Sequence, residues 1–256
     1  MTDQLKDMDK LEAIESDFGP INIFQNRSTG EVLYQHDGWG QSTADSNGTS
    51  LASYIHAIFG LLTQAKARDI LLIGCAGGTL ATMLARAGRK PTIVDLMPVS
   101  FALARQYFRL PETVICHAAD GDAFLRSDPQ GYDAIVLDAF LGDLIPAHLQ
   151  SAEFFGLVRD RLTPGGAVFA NVHVKHDFDD YADRLAKTMR SVWPEVRVLD
   201  AQGVCNRNAI VMAGEVSRLR APRLLAPPMT NAGGIDSELA RLRFRPWKSS
   251  RWDFGG

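Results

Sequence analysis

Between residues 69 and 213 the chain alternates short apolar runs with segments whose apolar residues recur at helical spacing. The run at 69–73 is apolar after its first residue, as expected of a strand covered on both faces, and a helix is predicted at 80–87. Further strands are predicted at 92–95, 114–116, 134–138, 166–174, 196–199 and 209–213. Further helices are predicted at 100–108, 120–125, 152–162 and 181–192. Because parallel strands need crossover helices, this order predicts an α/β fold with a mostly parallel, seven-stranded sheet and helices on both faces.

The segment before this alternation has a pattern typical of a small β structure. Residues 21–24 and 31–34 are rich in β-formers, and the turn-type cluster at 26–30 between them predicts a β-hairpin. The polar segment at 1–19 predicts a frayed or short helical lead-in. The many small residues at 37–45 predict a loop.

These changes of pattern divide the chain into three predicted parts. Residues 1–60 hold the lead-in, the hairpin and the start of a helix, residues 61–216 form the α/β domain, and residues 217–256 form an Arg- and Pro-rich tail. The tail is predicted to have little regular structure and to pack on an acidic body or on another subunit, which leaves a homodimer open. Its basic and aromatic residues are Arg218, Arg220, Arg223, Arg241, Arg243, Arg245, Arg251, Trp247 and Trp252.

Composition and charge narrow the classes of protein that fit this pattern. The net charge of −3 predicts no general attraction for nucleic acid or for an anionic membrane surface. The charged N-terminus has no apolar core, so no signal peptide is predicted, and no segment has the ~20 apolar residues of a membrane helix. We therefore expect a cytoplasmic protein. The widely spaced Cys75, Cys116 and Cys205 form no CxxC pair, so no metal site or disulfide framework is predicted.

A glycine-rich turn joins the first predicted strand of the α/β domain to its helix. Gly74, Gly77 and Gly78 let the backbone bend sharply and approach a ligand closely, although a merely tight turn would also need them. Asp95 ends the next strand, about 20 residues further on, where such folds place a carboxylate that binds ribose hydroxyls. The alternative for Asp95 is a helix cap. Together the two features predict a nucleotide at the carboxyl ends of the strands.

Two more carboxylates follow later strands. Asp120, before Gly121, can accept a hydrogen bond from an adenine amino group, can serve as a helix N-cap, or can do both. Asp138 follows four apolar strand residues and should emerge at the edge of the sheet where ligands bind. A carboxylate there could take the proton of an incoming amine, whereas its alternative role is to bind backbone amides.

The order of these motifs resembles the spermidine synthase family. The resemblance rests on the glycine turn, Asp-Gly-x-x-Phe-Leu from Asp120, Tyr-Asp-x-Ile-x-x-Asp ending at Asp138, and Leu-Thr-Pro-Gly-Gly at 162–166. The hairpin followed by Gln41 and by a helix containing Tyr54 is also similar. The resemblance covers residues 20 to 213 and implies a small β-domain in front of a Rossmann-like domain of the methyltransferase type.

The resemblance also implies roles for individual residues. Members of the family move an aminopropyl group from decarboxylated S-adenosylmethionine to a putrescine-like amine and release methylthioadenosine. Carried over, the nucleotide would be held by Gln41, the glycine turn, Asp95, Asp120 and Gly121. Asp138 would be the catalytic carboxylate, Asp143 its reserve, and Tyr54 would line the channel for the amine. No metal is implied.

Three departures weaken the polyamine half of the resemblance, whereas the nucleotide half is well kept. The position of the family's donor-amine carboxylate is Ala76, and the acidic residue expected two after the channel tyrosine is His56. The second carboxylate, Asp143, stands five residues after Asp138 rather than three. Two alternatives therefore stay open: a methyltransferase that uses intact S-adenosylmethionine and releases S-adenosylhomocysteine, and a catalytically silent nucleotide-binding or assembly protein.

A further group of ligand-type residues lies near the fifth predicted strand. His173, His176 and Asp177 have side chains that can bind metals, but their spacing across a strand–helix junction does not place them on one face. We predict that they belong to a solvated loop.

Overall fold

The N-terminal part is a four-stranded antiparallel sheet in the computed structural model, which describes residues 7–247. Its strands pair in chain order: β1 (Met8–Ser16), β2 (Gly19–Asn26), β3 (Val32–His36) and β4 (Trp39–Ala44). The predicted hairpin corresponds to β2 and β3, but two other predictions were wrong. Residues 8–16 form a strand instead of a lead-in, because they pair along β2, and most of the predicted loop at 37–45 forms β4, which pairs with β3.

The α/β domain is built on an eight-stranded sheet. Its strands are β5 (Asp69–Ile73), β6 (Lys90–Asp95), β7 (Ile115–Ala118), β8 (Tyr132–Leu137), β9 (Leu162–Val174), β10 (Val196–Asp200), β11 (Arg207–Gly214) and β12 (Arg243–Arg245). They lie in the order β12-β10-β11-β9-β8-β5-β6-β7. The five strands from β9 to β7 are parallel, and the other three join antiparallel. The mostly parallel sheet was predicted, but with seven strands, because β12 comes from the tail.

Helices cover both faces of this sheet. They are α1 (Ser53–Gln64), α2 (Thr79–Arg86), α3 (Pro98–Phe108), α4 (Gly121–Ser127), α5 (Ala152–Asp160), α6 (Tyr181–Arg190) and α7 (Ala232–Leu239). Alternate residues of β5 point to opposite faces, so Ile70 and Leu72 pack with α1 and α2, whereas Leu71 and Ile73 pack with α4 and α5. Among the described residues, no helix is long and apolar enough to cross a membrane.

The tail has more regular structure than its composition predicted. Residues 232–239 form α7, and β12 adds to the edge of the sheet beside β10. Arg245 fixes this strand, since its Nε lies 2.8 Å from Asp200 and its Nη1 lies 2.8 Å from Asp183. The Arg197 guanidinium stacks 3.5 Å from the centre of the Phe244 ring. The sequence showed the basic residues of the tail but not the side chains that they contact in the fold. Arg251 and Trp252 lie outside the described residues.

The strand order also predicts where a ligand-binding crevice lies. From β5 the chain moves outward to β6 and β7 on one side, and then returns to β8 on the other side of β5. Parallel α/β sheets bind ligands outside the carboxyl ends of the strands at such a reversal of order. The carboxyl ends of β5, β6 and β8 therefore define the region where a site is expected.

Candidate active site

A cavity of about 640 Å³ opens at these strand ends. Its wall combines the Rossmann-like domain with residues of the N-terminal sheet and of α1. Of the predicted site residues, all but Gly77 line it: Gln41, Tyr54, Gly74, Gly78, Asp95, Asp120, Gly121, Asp138 and Asp143. Residues that are distant in sequence thus meet in one pocket of the size that small-molecule sites usually have.

The glycine turn passes against neighbouring backbone. Gly74 has a φ of +106°, and a Cβ there would lie 2.3 Å from the carbonyl oxygen of Asp138. A Cβ on Gly77 would lie 2.8 Å from the Phe108 ring, and the Gly77 N–H donates to Ser42 Oγ at 3.1 Å. Ala76 sits between them with a φ of +44°. The turn is therefore locked between β8, α3 and β4.

The Asp95 carboxylate holds this turn. Its Oδ2 accepts the backbone N–H of Cys75 at 2.7 Å, and its Oδ1 accepts that of Met97 at 2.8 Å. Burial raises the pKa of Asp95, against the opposing effect of these hydrogen bonds and of nearby His36. Asp95 also faces the cavity, so it links the backbone of the turn to whatever binds there.

Asp120 is the N-cap of α4, as one of its two predicted roles required. Its Oδ1 accepts the N–H groups of Asp122 at 3.0 Å and Ala123 at 3.1 Å, and His148 Nε2 lies 2.7 Å from its Oδ2. Burial raises the pKa of Asp120, but the His148 contact and the two amides outweigh it and lower the pKa overall. Next to it, a Cβ on Gly121 would lie 2.6 Å from Ile73 Cγ2.

Asp138 stands at the end of β8 and is held by side chains. Its Oδ2 accepts from the Tyr54 hydroxyl at 3.3 Å, and its Oδ1 accepts from Asn171 Nδ2 at 2.7 Å. Asn171 lies on β9 and in turn accepts from Asn208 Nδ2 on β11 at 3.0 Å. Three strands and α1 therefore converge on one carboxylate.

Burial sets the acidity of this group. It raises the pKa of Asp138 to about 6, although hydrogen bonds from Asn171 and Tyr54 pull it down. Burial and the neighbouring carboxylate also raise the pKa of Tyr54 well above its ordinary value. At neutral pH Asp138 is mostly ionised and more basic than an exposed aspartate, which is the property of a proton acceptor.

Asp143, the predicted reserve carboxylate, has a partner of its own. Lys175 Nζ lies 2.7 Å from its Oδ2, and this hydrogen bond is the main cause that lowers the pKa of Asp143. The two side chains are 58% and 26% exposed, so the ion pair lies at the mouth of the cavity. Sequence reasoning did not identify Lys175, because the two residues are 32 positions apart.

The structure places the histidines singled out in the sequence differently. His56, which replaces the acidic residue expected two after Tyr54, is 1% exposed, and its Nε2 lies 2.7 Å from the Ser50 carbonyl oxygen, so it braces the start of α1. His173 lies within β9 and lines the cavity, whereas the prediction put it in a solvated loop. Asp177 pairs with the buried Arg207 at 2.9 Å.

Several lining residues carried no sequence motif that would have revealed them. Three of these lining residues are Asn171, Asn208 and His148. The fourth, His36, is only 6% exposed, and its Nε2 has no hydrogen-bond partner among the described residues. Its Nδ1 lies 3.4 Å from Gln41 Nε2. A buried polar atom without a partner is uncommon in folded proteins. An isolated His on a predicted hairpin carries no such signal in sequence.

The charged groups of the wall have one sign. Asp95, Asp120, Asp138 and Asp143 line the cavity, and within residues 7–247 no lysine or arginine joins them in the lining. Such a wall favours cations and disfavours anions, since a cleft with low-dielectric walls focuses the field of its charges.

Most of the curated relatives are polyamine aminopropyltransferases, and one is an "N-terminal histidine N-methyltransferase" of Emericella nidulans, 33% identical over 136 residues. The family model described as Nodulation protein S (NodS) matches residues 31–145. The "Probable polyamine aminopropyl transferase" of Bifidobacterium longum is 32% identical over 139 residues, covering 53% of this chain and 31% of that protein. Two other curated aminopropyltransferases are matched over 47% and 42% of their length, so the chain spans less than half of these three relatives.

A solved structure has the same fold over nearly the whole chain. The structure described as a probable spermidine synthase from Corynebacterium glutamicum superposes with a TM-score of 0.74 at 22% identity, over 92% of this chain and 90% of that one. A "Polyamine aminopropyltransferase" of Neisseria meningitidis serogroup A is 30% identical over 195 residues, covering 72% of this chain and 73% of that protein. The chain therefore belongs to the polyamine aminopropyltransferase family.

Proposed function

We propose that this protein transfers an aminopropyl group from decarboxylated S-adenosylmethionine to a small amine and releases methylthioadenosine. The observation that carries the proposal is the sign of the cavity wall: among the described residues four aspartates and no lysine or arginine line it, and of the four only Asp143 is paired with a lysine, Lys175. The decarboxylated donor is a cation without a carboxylate, and its acceptor is an amine. Both reactants therefore suit a wall that attracts positive charge.

The donor fits the half of the cavity beside β5, β6 and β7. We assign it to Gln41, the glycine turn, Asp95, Asp120 and Gly121. Packing against Asp138 and Ile73 requires glycines at 74 and 121, and both residues line the cavity, so bare backbone faces a ligand there. In this assignment residues 1–60 supply Gln41 and Tyr54, and residues 61–216 supply the remaining contacts.

Asp138 takes the proton in the proposed reaction. An alkyl amine with a pKa of about 10 is almost wholly protonated at neutral pH and must lose a proton before it can attack. The amine nitrogen then forms a bond to the aminopropyl carbon next to the sulfonium, the carbon–sulfur bond breaks, and its electron pair neutralises the sulfur. Asp138 accepts the proton, while Tyr54 and Asn171 keep the carboxylate in place.

The proposal is tested by product analysis. The protein is incubated with decarboxylated S-adenosylmethionine and an equimolar mixture of short amines, and methylthioadenosine is measured by liquid chromatography with mass detection. We expect methylthioadenosine together with an amine heavier by one aminopropyl group. The matched incubation uses intact S-adenosylmethionine, where S-adenosylhomocysteine and a methylated amine would instead identify a methyltransferase.

The methyltransferase alternative has one observation in its favour. Ala76 occupies the position where a carboxylate is expected to hold the donor's terminal amine, so that contact is missing on this turn. If neither donor gives a product but methylthioadenosine still binds, the third possibility, a silent nucleotide-binding protein, gains support.

A further inference from the structure

The wall opposite the donor half carries a single carboxylate. We use the name acceptor wall for Tyr54, Asp138, Asn171, His173 and Asn208, all of which line the cavity. The tyrosine and the two asparagines are neutral hydrogen-bonding groups, and His173 adds an imidazole. The hydrogen bonds run in one direction, from Asn208 to Asn171 and from Asn171 to Asp138. The acceptor wall can therefore balance one ammonium group and offers neutral partners around it.

The next carboxylate along the cavity is already balanced. Asp143 pairs with Lys175 at 2.7 Å, so the two together have no net charge. The pair is partly exposed, and a competing cation could displace the ammonium of Lys175 at little cost. The lysine charge would nevertheless remain beside Asp143 and repel the newcomer. A second ammonium on an acceptor would thus find no unbalanced negative charge on this side of the cavity.

Part of the surface beside Asp143 is apolar. Phe140 and Leu141 line the cavity next to it, and Leu141 is 63% exposed. An alkyl chain can lie against these side chains without loss, whereas a charged end would lose water there. Apolar contacts and neutral amides together suit a chain that ends in an uncharged polar group.

We infer that the acceptor is a monoamine whose far end is uncharged, such as a short amino alcohol, instead of a diamine. This inference rests on the proposed aminopropyl transfer and names the class of amine that the same cavity selects. The amine end would lie beside Asp138. The hydroxyl or similar end would be surrounded by Asn171, Asn208 and His173, and the alkyl chain would lie against the apolar side chains next to Asp143.

Two acceptors of matched length test the inference. Putrescine and 4-aminobutan-1-ol have the same carbon chain and differ in whether the far end is charged. With decarboxylated S-adenosylmethionine as donor, we expect kcat/KM for the amino alcohol to exceed that for putrescine by about tenfold or more, because a second ammonium loses charge-assisted partners. Equal constants, or a preference for putrescine, would overturn the inference while leaving the proposed function intact.

A charge-neutralising variant adds a second readout. Lys175→Gln frees the Asp143 carboxylate, so we expect the ratio of the two kcat/KM values to shift at least about fivefold towards putrescine. Lys187→Gln removes the same charge from an exposed position on α6 and should leave the ratio unchanged. An unchanged ratio in Lys175→Gln would overturn the role given to the Lys175–Asp143 pair. If neither amine releases methylthioadenosine, the proposed function itself fails, and this inference fails with it.

Discussion

The two halves of the cavity are built in different ways. On the proposed donor side, the carboxylates of Asp95 and Asp120 are fixed mainly by backbone N–H groups within three residues of them or in the adjoining turn. On the proposed acceptor side, Asp138 is fixed by side chains from α1 and β9. Backbone donors belong to the fold and survive most substitutions. Side-chain donors change with single residues, so this difference explains how one fold can keep its donor and alter its acceptor.

Asp138→Asn should give the largest difference between an effect on turnover and an effect on nucleotide binding. The variant keeps the shape of the side chain but cannot take a proton, so turnover should fall by about 10²–10⁴, the usual contribution of a positioned general base. Affinity for methylthioadenosine, measured by calorimetry, should change little.

Asp133→Asn is the matched control for that variant. Asp133 lies near the opposite end of β8, where it accepts the N–H groups of Arg68 and Asp69. Turnover per folded molecule should remain normal. Equal losses of turnover in the two variants would mean that position 138 has only a structural role.

Gly74→Ala should damage the donor side through the backbone. The added Cβ meets the Asp138 carbonyl oxygen at 2.3 Å, and the residue has a positive φ, so we expect a loss of about 2–4 kcal/mol in the free energy of unfolding. Gly88→Ala is its control, because Gly88 has a φ of +73° but no atom within 4 Å of its added Cβ. That control should lose about 1 kcal/mol in denaturant titrations. Similar losses in both variants would mean that the close approach at Gly74 is unimportant.

Asp95→Ala should weaken the donor side without abolishing the site. Loss of one charge-assisted hydrogen bond to a ribose is expected to reduce methylthioadenosine affinity about tenfold or more. Because Asp95 also holds the N–H groups of Cys75 and Met97, binding must be measured at a temperature where circular dichroism shows the variant folded. Unchanged affinity in the folded variant would remove Asp95 from the nucleotide site.

The raised pKa of Asp138 should also make the stability of the folded protein depend on pH. A carboxyl whose folded-state pKa rises from 3.8 to about 6 favours the protonated protein, so the wild type loses stability as the pH rises from 4 to 6. Asp138→Asn lacks this loss and should be the more stable protein at pH 7. The gain should be about 1 kcal/mol, below the limit of about 3 kcal/mol set by the pKa change, because the amide forfeits charge-assisted hydrogen bonds. An equal gain at pH 4 would contradict this origin.

What the sequence could predict follows the same division. The strands of the α/β domain, the glycine turn and the capping role of Asp120 depend on local patterns, and each was predicted from nearby residues. The strands at 8–16 and 39–44 pair with their chain neighbours β2 and β3, but their many polar and small residues do not show the pattern of a strand. β12 with Arg245 depends on pairing with the distant β10. Those three predictions were wrong. The contacts of Asp138 with Tyr54 and Asn171 span 84 and 33 residues. Spacing along the chain holds no record of such contacts, so only the position of Asp138 could be predicted.

The affinity difference between the two forms of the donor tests the account most directly. Decarboxylated and intact S-adenosylmethionine differ by one carboxylate, and the described wall holds four aspartates without lysine or arginine. Calorimetric titration of the wild-type protein with each form should therefore give a dissociation constant about tenfold or more lower for the decarboxylated form, since an added carboxylate meets like charge. Tighter binding of intact S-adenosylmethionine would contradict aminopropyl transfer and favour methyl transfer on the same fold.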